Sequence, residues 1–375
     1  MKRPAVLLLG PDRDTIGGVQ THLNVLLDSE LARRFGIVQF QVGSAGRGEN
    51  ALGMLARLLI SPLLLAAAIV RTGADIVHVN TSFNHRAYWR DLLYVLAARL
   101  CGARVVYQIH GGGVRMLQGS GRLRAPLMRQ LLRRTLRWPD VVVVLSRREL
   151  RDASGLAPQQ NVLLLPNAID PHALLAQRRL ASDPAAPLRL VYIGRLVRDK
   201  GLFELVEGLA GACARGVPVQ LAVAGEGPDE PRLRQAVHDL GLEEHVSFAG
   251  PAFGERKAQL LAQADVFALP SYHEGLPYAL LEGMAAGLVP LVTRVGAMPD
   301  VVVEGVHGRF VSMRDGESIA QAIAALAGDR ARLAHMSAAC RERVASAYSI
   351  ERLADDFTAL YTSLGGTAPD LSRSA

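Results

Sequence analysis

Two carboxylates, Glu274 and Glu282, stand eight residues apart around the turn Gly275-Leu276-Pro277. The first precedes that turn, and the second falls within an expected helix. Pro277 is placed as a first helical residue, where its missing N–H would have had no partner. The free N–H groups around it carry the positive end of the helix dipole. The turn therefore offers a cradle for a diphosphate, with one carboxylate in front and one behind. Glu274 could accept hydrogen bonds from a sugar, and Glu282 from the hydroxyls of a ribose. The plainer alternative is a solvated amphipathic helix with two incidental glutamates.

Other candidates follow strand-like runs. Gly17-Gly18 precedes Val19-Gln20-Thr21-His22 and would let backbone approach a phosphate or sugar before a helix starts. His110 stands before Gly111-Gly112-Gly113, as a ligand-facing side chain or as a cap at the edge of the core. Arg195 supplies a fork of donors and Lys200 a point charge. Together they suit a diphosphate leaving group whose developing charge must be stabilised. Gly225-Glu226-Gly227-Pro228 reads as a turn lining a cleft floor. Phe248-Ala249-Gly250 and the loop to Lys257 either frame a nucleotide base or only turn the chain.

The elements that must position these residues alternate regularly. Apolar strand-like runs cover Val6–Gly10, Ile37–Val42, Ile76–Val79, Val105–Ile109, Val141–Leu145 and Val162–Leu165. Helical periods such as Val19–Glu30 and Trp89–Leu100 lie between them. The pattern restarts at Leu188–Ile193 and runs through Gln220–Ala224, Val246–Ala249, Val266–Leu269, Val289–Thr293 and Arg309–Val311. This alternation predicts α/β architecture with parallel sheets covered on both faces. The expected division is a first domain over 1–180, a linker over 181–187, and a second domain over 188–350. A last helix over 351–365 and a disordered tail over 366–375 follow. Two such domains facing each other would enclose one deep cleft.

A chain of 375 residues, half of them hydrophobic and 21% charged, is long enough for two globular domains. Its three cysteines are widely spaced, which fits a reducing compartment. Residues 1–180 carry 24 Lys and Arg against 11 Asp and Glu, a balance of +13; residues 181–375 carry 18 against 24, a balance of −6. Seven arginines, Arg115, Arg122, Arg124, Arg129, Arg133, Arg134 and Arg137, occur within 115–137 without an acid. They can bind anionic lipid headgroups or a phosphorylated acceptor, or form a solvated helix face. Base-stacking aromatics are missing there, which argues against nucleic acid. Residues 51–70 are nearly all apolar, but Arg57 and Pro62 interrupt them and a strand follows at once. A buried or interfacial helix is expected rather than a span. The short apolar run at the start reads as a strand, not a signal peptide.

In combination these pieces resemble the retaining glycosyltransferases of the GT-B fold, within the large family numbered four. The matching residues are Gly17-Gly18-Val19-Gln20, Gln108-Ile109-His110-Gly111, Pro166-Asn167-Ala168-Ile169-Asp170 and Gly194-Arg195-Leu196. They continue with Asp199-Lys200-Gly201, Gly225 to Pro228, Phe248 to Gly250, Glu274 to Pro277, Glu282 and Gly296-Ala297-Met298-Pro299-Asp300. The resemblance implies two Rossmann-like doubly wound domains facing a central cleft. The first would bind the acceptor and the second the donor, with a C-terminal helix crossing back to the first. It implies that Arg195 and Lys200 hold the donor diphosphate, assisted by backbone at Gly17, Gly18, Gly275, Leu276 and Pro277. Glu282 would hold the ribose and Glu274 face the donor sugar. His110 would sit at the reacting centre, making His110, Glu274, Arg195 and Lys200 the catalytic set. Ala252 and Lys257 would lie beside the base and phosphates, and Gln20 toward the acceptor. Two departures, Ala168 and Ala297 where the family often has glycine, leave those loop geometries open.

The resemblance also implies transfer with retention, without metal or cofactor. The expected donor is a nucleotide-diphosphate sugar; the acceptor is lipid-linked or a saccharide. An anionic membrane surface is the expected further partner, and nucleic acid is not. The expected location is the cytoplasm or, peripherally, the inner face of the plasma membrane. Competing readings are a nucleotide-sugar epimerase or hydrolase of the same fold, and a non-catalytic sugar-nucleotide-binding subunit.

Overall fold

The computed structural model describes residues 4–15, 17–43, 50–82, 85–111, 124–171 and 186–365. Ala181–Ala185 of the expected linker, the 366–375 tail, Arg115 and Arg122 lie outside them, and of Arg124 only the backbone is described. The chain forms two compact units, Met1–Ala168 with Ile350–Ala375, and Ile169–Ser349. The change of unit therefore falls at 168/169, some residues before the 180/188 division expected from composition.

Among its described residues the first unit holds six strands: β1 (Ala5–Gly10), β2 (Gly36–Gln41), β3 (Ile76–Thr81), β4 (Arg104–Ile109), β5 (Val141–Val144) and β6 (Val162–Leu164). They pair in parallel in the order β2-β1-β3-β4-β5-β6. Both faces are buried, so consecutive residues are apolar rather than alternating. Leu7, Leu9, Val77, Val79, Val105, Tyr107, Val142 and Val144 enter one core. Val6, Leu8, Ile76, Val106, Val141 and Val143, one residue out of step, enter the other.

The helices divide accordingly. Ala51–Thr72, His85–Leu100, Arg124–Arg137 and Arg147–Leu156 cover the first core. Gly18–Asp28, Glu30–Arg34 and the final helix Ile350–Ser363 cover the second. The expected return of the C-terminal helix to the first unit is present: Leu353, Phe357, Leu360 and Tyr361 are buried there. The single helix expected over 19–30 is two helices. Extended backbone at Ser29 breaks it, and the Ser29 Oγ accepts from the Leu31 N–H at 3.2 Å as the new N-cap.

The helix over Ala51–Thr72 is half-buried. Leu65, Ala68 and Ile69 face the core, while Leu59, Ile60, Leu63, Leu64 and Val70 are exposed. Among the described residues, no helix is long and apolar enough to cross a membrane.

The second unit repeats the plan with β7 (Leu188–Ile193), β8 (Val219–Ala224), β9 (Val246–Gly250), β10 (Val266–Leu269), β11 (Val289–Thr293) and β12 (Arg309–Val311). The parallel order is β12-β11-β10-β7-β8-β9. In each sheet the first strand is flanked by strands reached in opposite directions, β2 and β3 in one unit, β8 and β10 in the other. Loops leaving the carboxyl ends of such neighbours diverge, and the crevice between them is where open α/β sheets take ligands.

Candidate active site

In the second unit the loops after β7 and β10 meet at such a crevice. After β7 the chain runs through Arg195 into a 3₁₀ turn, Arg198–Lys200. Gly201 ends it in the left-handed region, at φ 71°. A Cβ there would stand 2.1 Å from the Pro270 carbonyl oxygen, so only glycine lets the two loops approach. The Tyr272 N–H donates to the Asp199 carbonyl at 2.8 Å and fixes that approach.

Lys200 Nζ then donates to Glu274 Oε1 at 2.6 Å, and Ser271 Oγ to the same oxygen at 2.7 Å. No described residue bonds Glu274 Oε2. Thr293, at the end of β11, holds the Ser271 carbonyl in turn. Arg195 is exposed and makes no ion pair among the described residues. Its carbonyl accepts from the Tyr192 hydroxyl at 2.7 Å. Burial, and then the nearby Glu274, push the Tyr192 phenol well above its usual range, so it remains a neutral donor.

The second carboxylate is arranged in the same way. Glu282, on the Tyr278–Ala285 helix, accepts from Lys257 Nζ at 2.5 Å through Oε1. Lys257 lies on the Gly254–Gln263 helix, and Ala252, just before that helix, is buried. Pro277 is the N-cap rather than the first helical residue: its ψ of 128° is extended, and the helix begins at Tyr278. No side chain caps that end.

Gly296 underlies the turn. At φ 56° it lies against the Glu274 and Gly275 carbonyls, where a Cβ would stand 2.3 Å from both oxygens. Ala297 adopts ordinary helical backbone, and its N–H donates to the Gly275 carbonyl at 2.8 Å. This site therefore needs no second glycine. Ala168 is buried without left-handed backbone. The Gly225–Pro228 turn braces the β7 loop: the Leu196 N–H donates to the Glu226 carbonyl at 2.8 Å, and Asp229 accepts from the Arg198 N–H at 2.7 Å.

In the first unit, Gly17 and Gly18 are exposed at the start of the Gly18–Asp28 helix, which has no side-chain cap and no acid in its first turn. The second turn of that helix brings His22 to His110, with ring centroids 4.6 Å apart. His110 Nε2 lies 2.8 Å from Asn80 Oδ1. Its Nδ1 is buried without a hydrogen-bond partner among the described residues. His78 Nδ1 meets the Tyr361 hydroxyl of the final helix at 2.7 Å. Burial lowers the pKa of His22 and of His78 to about 3 and that of His110 well below the usual value, so all three rings are neutral.

Gln20, the residue assigned to the acceptor side, lies in the first turn of the Gly18–Asp28 helix. It is buried, and in the orientation that satisfies its amide it donates to the Pro11 and Asp12 carbonyls at 2.7 and 2.8 Å. The side chain braces the β1 loop.

Ser271, Thr293 and Asn80 are the supporting residues that reading along the chain does not assign. The polar residues His78, Asn80, Gln108 and His110 do share a signal. They take alternate positions on neighbouring strands and so point to one face.

Two doubly wound parallel units, with glycine-bearing loops at the carboxyl ends of their strands, are the fold of the GT-B glycosyltransferases. Residues 179–343 match the sequence model of the family described as "Glycosyl transferases group 1", and residues 19–168 that of "Glycosyl transferase 4-like domain". A GDP-mannose-dependent alpha-(1-6)-phosphatidylinositol monomannoside mannosyltransferase of Mycobacterium tuberculosis is 34% identical over 278 residues, 68% of this chain and 69% of that one. A GDP-mannose:cellobiosyl-diphosphopolyprenol alpha-mannosyltransferase of Xanthomonas campestris is 28% identical over 72% of this chain and 68% of its own length. Among solved structures, the sucrose-phosphate synthase of Thermosynechococcus elongatus superposes with a TM-score of 0.78 at 20% identity, covering 96% of this chain and 99% of that one. Anabaena HepE in complex with UDP and glucose superposes with a TM-score of 0.74 at 17% identity, over 96% of this chain and 100% of its own. The chain belongs to the group 1 glycosyltransferases and is a glycosyltransferase.

Proposed function

We propose that this enzyme transfers a sugar, with retention and without a metal, from a nucleoside-diphosphate sugar to a lipid-linked or saccharide acceptor in envelope or exopolysaccharide synthesis. The observation that carries the reading is the pair of lysine–glutamate contacts, Lys200–Glu274 and Lys257–Glu282, at the strand ends of the second unit. Each carboxylate has Oε1 committed to a lysine, leaving Oε2 to accept from a hydroxyl.

In this reading the diphosphate lies over the uncapped start of the Tyr278–Ala285 helix, with Arg195 and Lys200 as its cations. Departure of the nucleoside diphosphate builds negative charge there, which those donors stabilise. Glu274, oriented by Ser271, accepts from the donor sugar; Glu282 accepts from ribose. His110, neutral and part-buried just after β4, is the first unit's residue for the reacting centre. The acceptor hydroxyl attacks the face the leaving group departs from and passes its proton toward the departing phosphate oxygen.

The named relatives act on a phosphatidylinositol mannoside and on a diphosphopolyprenol, which favours a lipid acceptor and a place at the cytoplasmic leaflet. The test is a thermal-shift screen of nucleoside diphosphates and sugar nucleotides, followed by donor turnover with and without acceptor, and with a chelator. A ligand that binds the native state raises its melting temperature. Turnover equal with and without acceptor would assign an epimerase or hydrolase instead. Loss of turnover on chelation would refute the metal-free route.

A further inference from the structure

We infer that the outward face of the Ala51–Thr72 and His85–Leu100 helices docks on an anionic lipid bilayer, with its apolar side chains entering the boundary between headgroups and acyl chains. Leu63 and Val70 are 70% and 77% exposed, and Leu100 is 80% exposed. On the second helix Trp89, Leu93, Leu96 and Leu100 follow at spacings of four, three and four, which makes one exposed stripe. The two helices pack together through the buried Tyr94 hydroxyl, which donates to Ser61 Oγ at 2.9 Å, so their outer surfaces adjoin. Of the 16 large hydrophobic side chains exposed among the described residues, nine lie on these two helices. Scattered apolar residues are ordinary on a surface; a concentration of this kind marks an interaction site.

The charges around the face select the occupant. Ala51–Thr72 contains no acid, and the one acid of His85–Leu100, Asp91, is buried against Arg90 at 2.7 Å. The next helix on the same side of the sheet, Arg124–Arg137, is joined through Tyr88 and Thr135, whose hydroxyls are 2.7 Å apart. It exposes Arg129, Arg134 and Arg137 and also lacks an acid. An apolar band beside a cationic helix matches an anionic bilayer. A second copy paired through the same patch would bring no carboxylate to those arginines. The inference rests on the proposed membrane location for its purpose, but lipid binding can be read without any substrate.

The experiment is co-sedimentation of the full chain with vesicles of phosphatidylcholine containing phosphatidylglycerol, against phosphatidylcholine alone. Wild type is expected to bind the anionic vesicles, less strongly as salt rises. Leu63→Glu combined with Leu93→Glu should weaken that binding about tenfold or more. Its melting temperature and its thermal shift with nucleoside diphosphate should be unchanged. With Trp138→Phe as background, emission from Trp89 should move to the blue on vesicle addition. Unchanged binding by the double variant, or no change in Trp89 emission, would overturn the proposal. So would a wild-type dimer in sedimentation velocity without lipid that the double variant dissolves, since the face would then join two copies. Failure of the glycosyltransferase reading would show instead as loss of the nucleoside-diphosphate shift in wild type.

Discussion

Lysine is rare in this chain, and that makes two of its positions informative. Of 42 basic residues only three are lysine: Lys2, Lys200 and Lys257. Two of them meet the two glutamates of one motif. Arginine serves almost everywhere else, so a compact ammonium is what these two sites require. A guanidinium is longer, planar and bidentate, and would not take the same place. Lys200→Ala and Arg195→Ala should each leave the melting temperature near wild type and lower kcat/KM by the equivalent of ~3–4 kcal/mol. Lys200→Arg should recover little of that loss, and steady-state kinetics of the three variants checks both points. Glu282→Gln should mainly weaken nucleoside-diphosphate affinity, and Glu274→Gln mainly lower the single-turnover rate. Equal losses of affinity in both would contradict the division of roles. The sequence shows the two glutamates and Lys200 as candidates, because their spacing and turn residues are local. It does not show that Lys257 reaches Glu282, 25 residues away, or that Ser271 orients Glu274, because both depend on how loops pack after folding.

The twelve strands of the described residues are legible, most of them as runs rich in apolar and β-branched residues, because a strand buried on both faces shows near-continuous hydrophobicity and ends where turn residues begin. Helix boundaries are less so. Ser29 divides one expected helix by a hydrogen bond to its own backbone neighbourhood, which competes with helical geometry. The helix from Ala51 carries apolar residues on its exposed side as well as its buried one, so periodicity does not tell which side is buried. Buried histidines on β3, at the end of β4 and on the first helix give the first unit a dependence on pH. Their folded pKa values lie below the unfolded value of about 6.5. The unfolded chain therefore binds more protons as pH falls. The stability these rings contribute is full above that value and is lost progressively below it. The loss is on the order of 1 kcal/mol per pH unit for each ring between about pH 6 and pH 5. Urea unfolding across this range should show the decline, and His78→Gln should flatten the slope by about a third. An unchanged slope would mean that His78 is protonated in the native state.

At the scale of the whole molecule the chain leaves its first unit at Ala168 and returns to it at Ile350. The last helix buries Leu353, Phe357, Leu360 and Tyr361 against the sheet. Each such side chain contributes roughly 1.5–3 kcal/mol, so together they approach the whole stability of an ordinary domain. A chain ended after Ser349 should lose the cooperative calorimetric transition of the first unit and keep that of the second. Two intact transitions would show that the helix is dispensable. The two-unit plan is legible because the strand–helix pattern restarts at Leu188, whereas the unit boundary is set by contacts that no local signal marks. The return also has a cost during synthesis. Tyr361 must reach His78 across 283 positions of chain. Until it does, the face of β1, β3 and β4 that carries Val6, Leu8, Ile76 and Val106 lacks part of its cover. At bacterial to eukaryotic elongation rates of about 5–20 residues per second, that face waits roughly 10–40 s after the first unit's strands are made. Until Ile350–Ser363 has left the ribosome, the newborn chain presents apolar surface that a holding chaperone could cover.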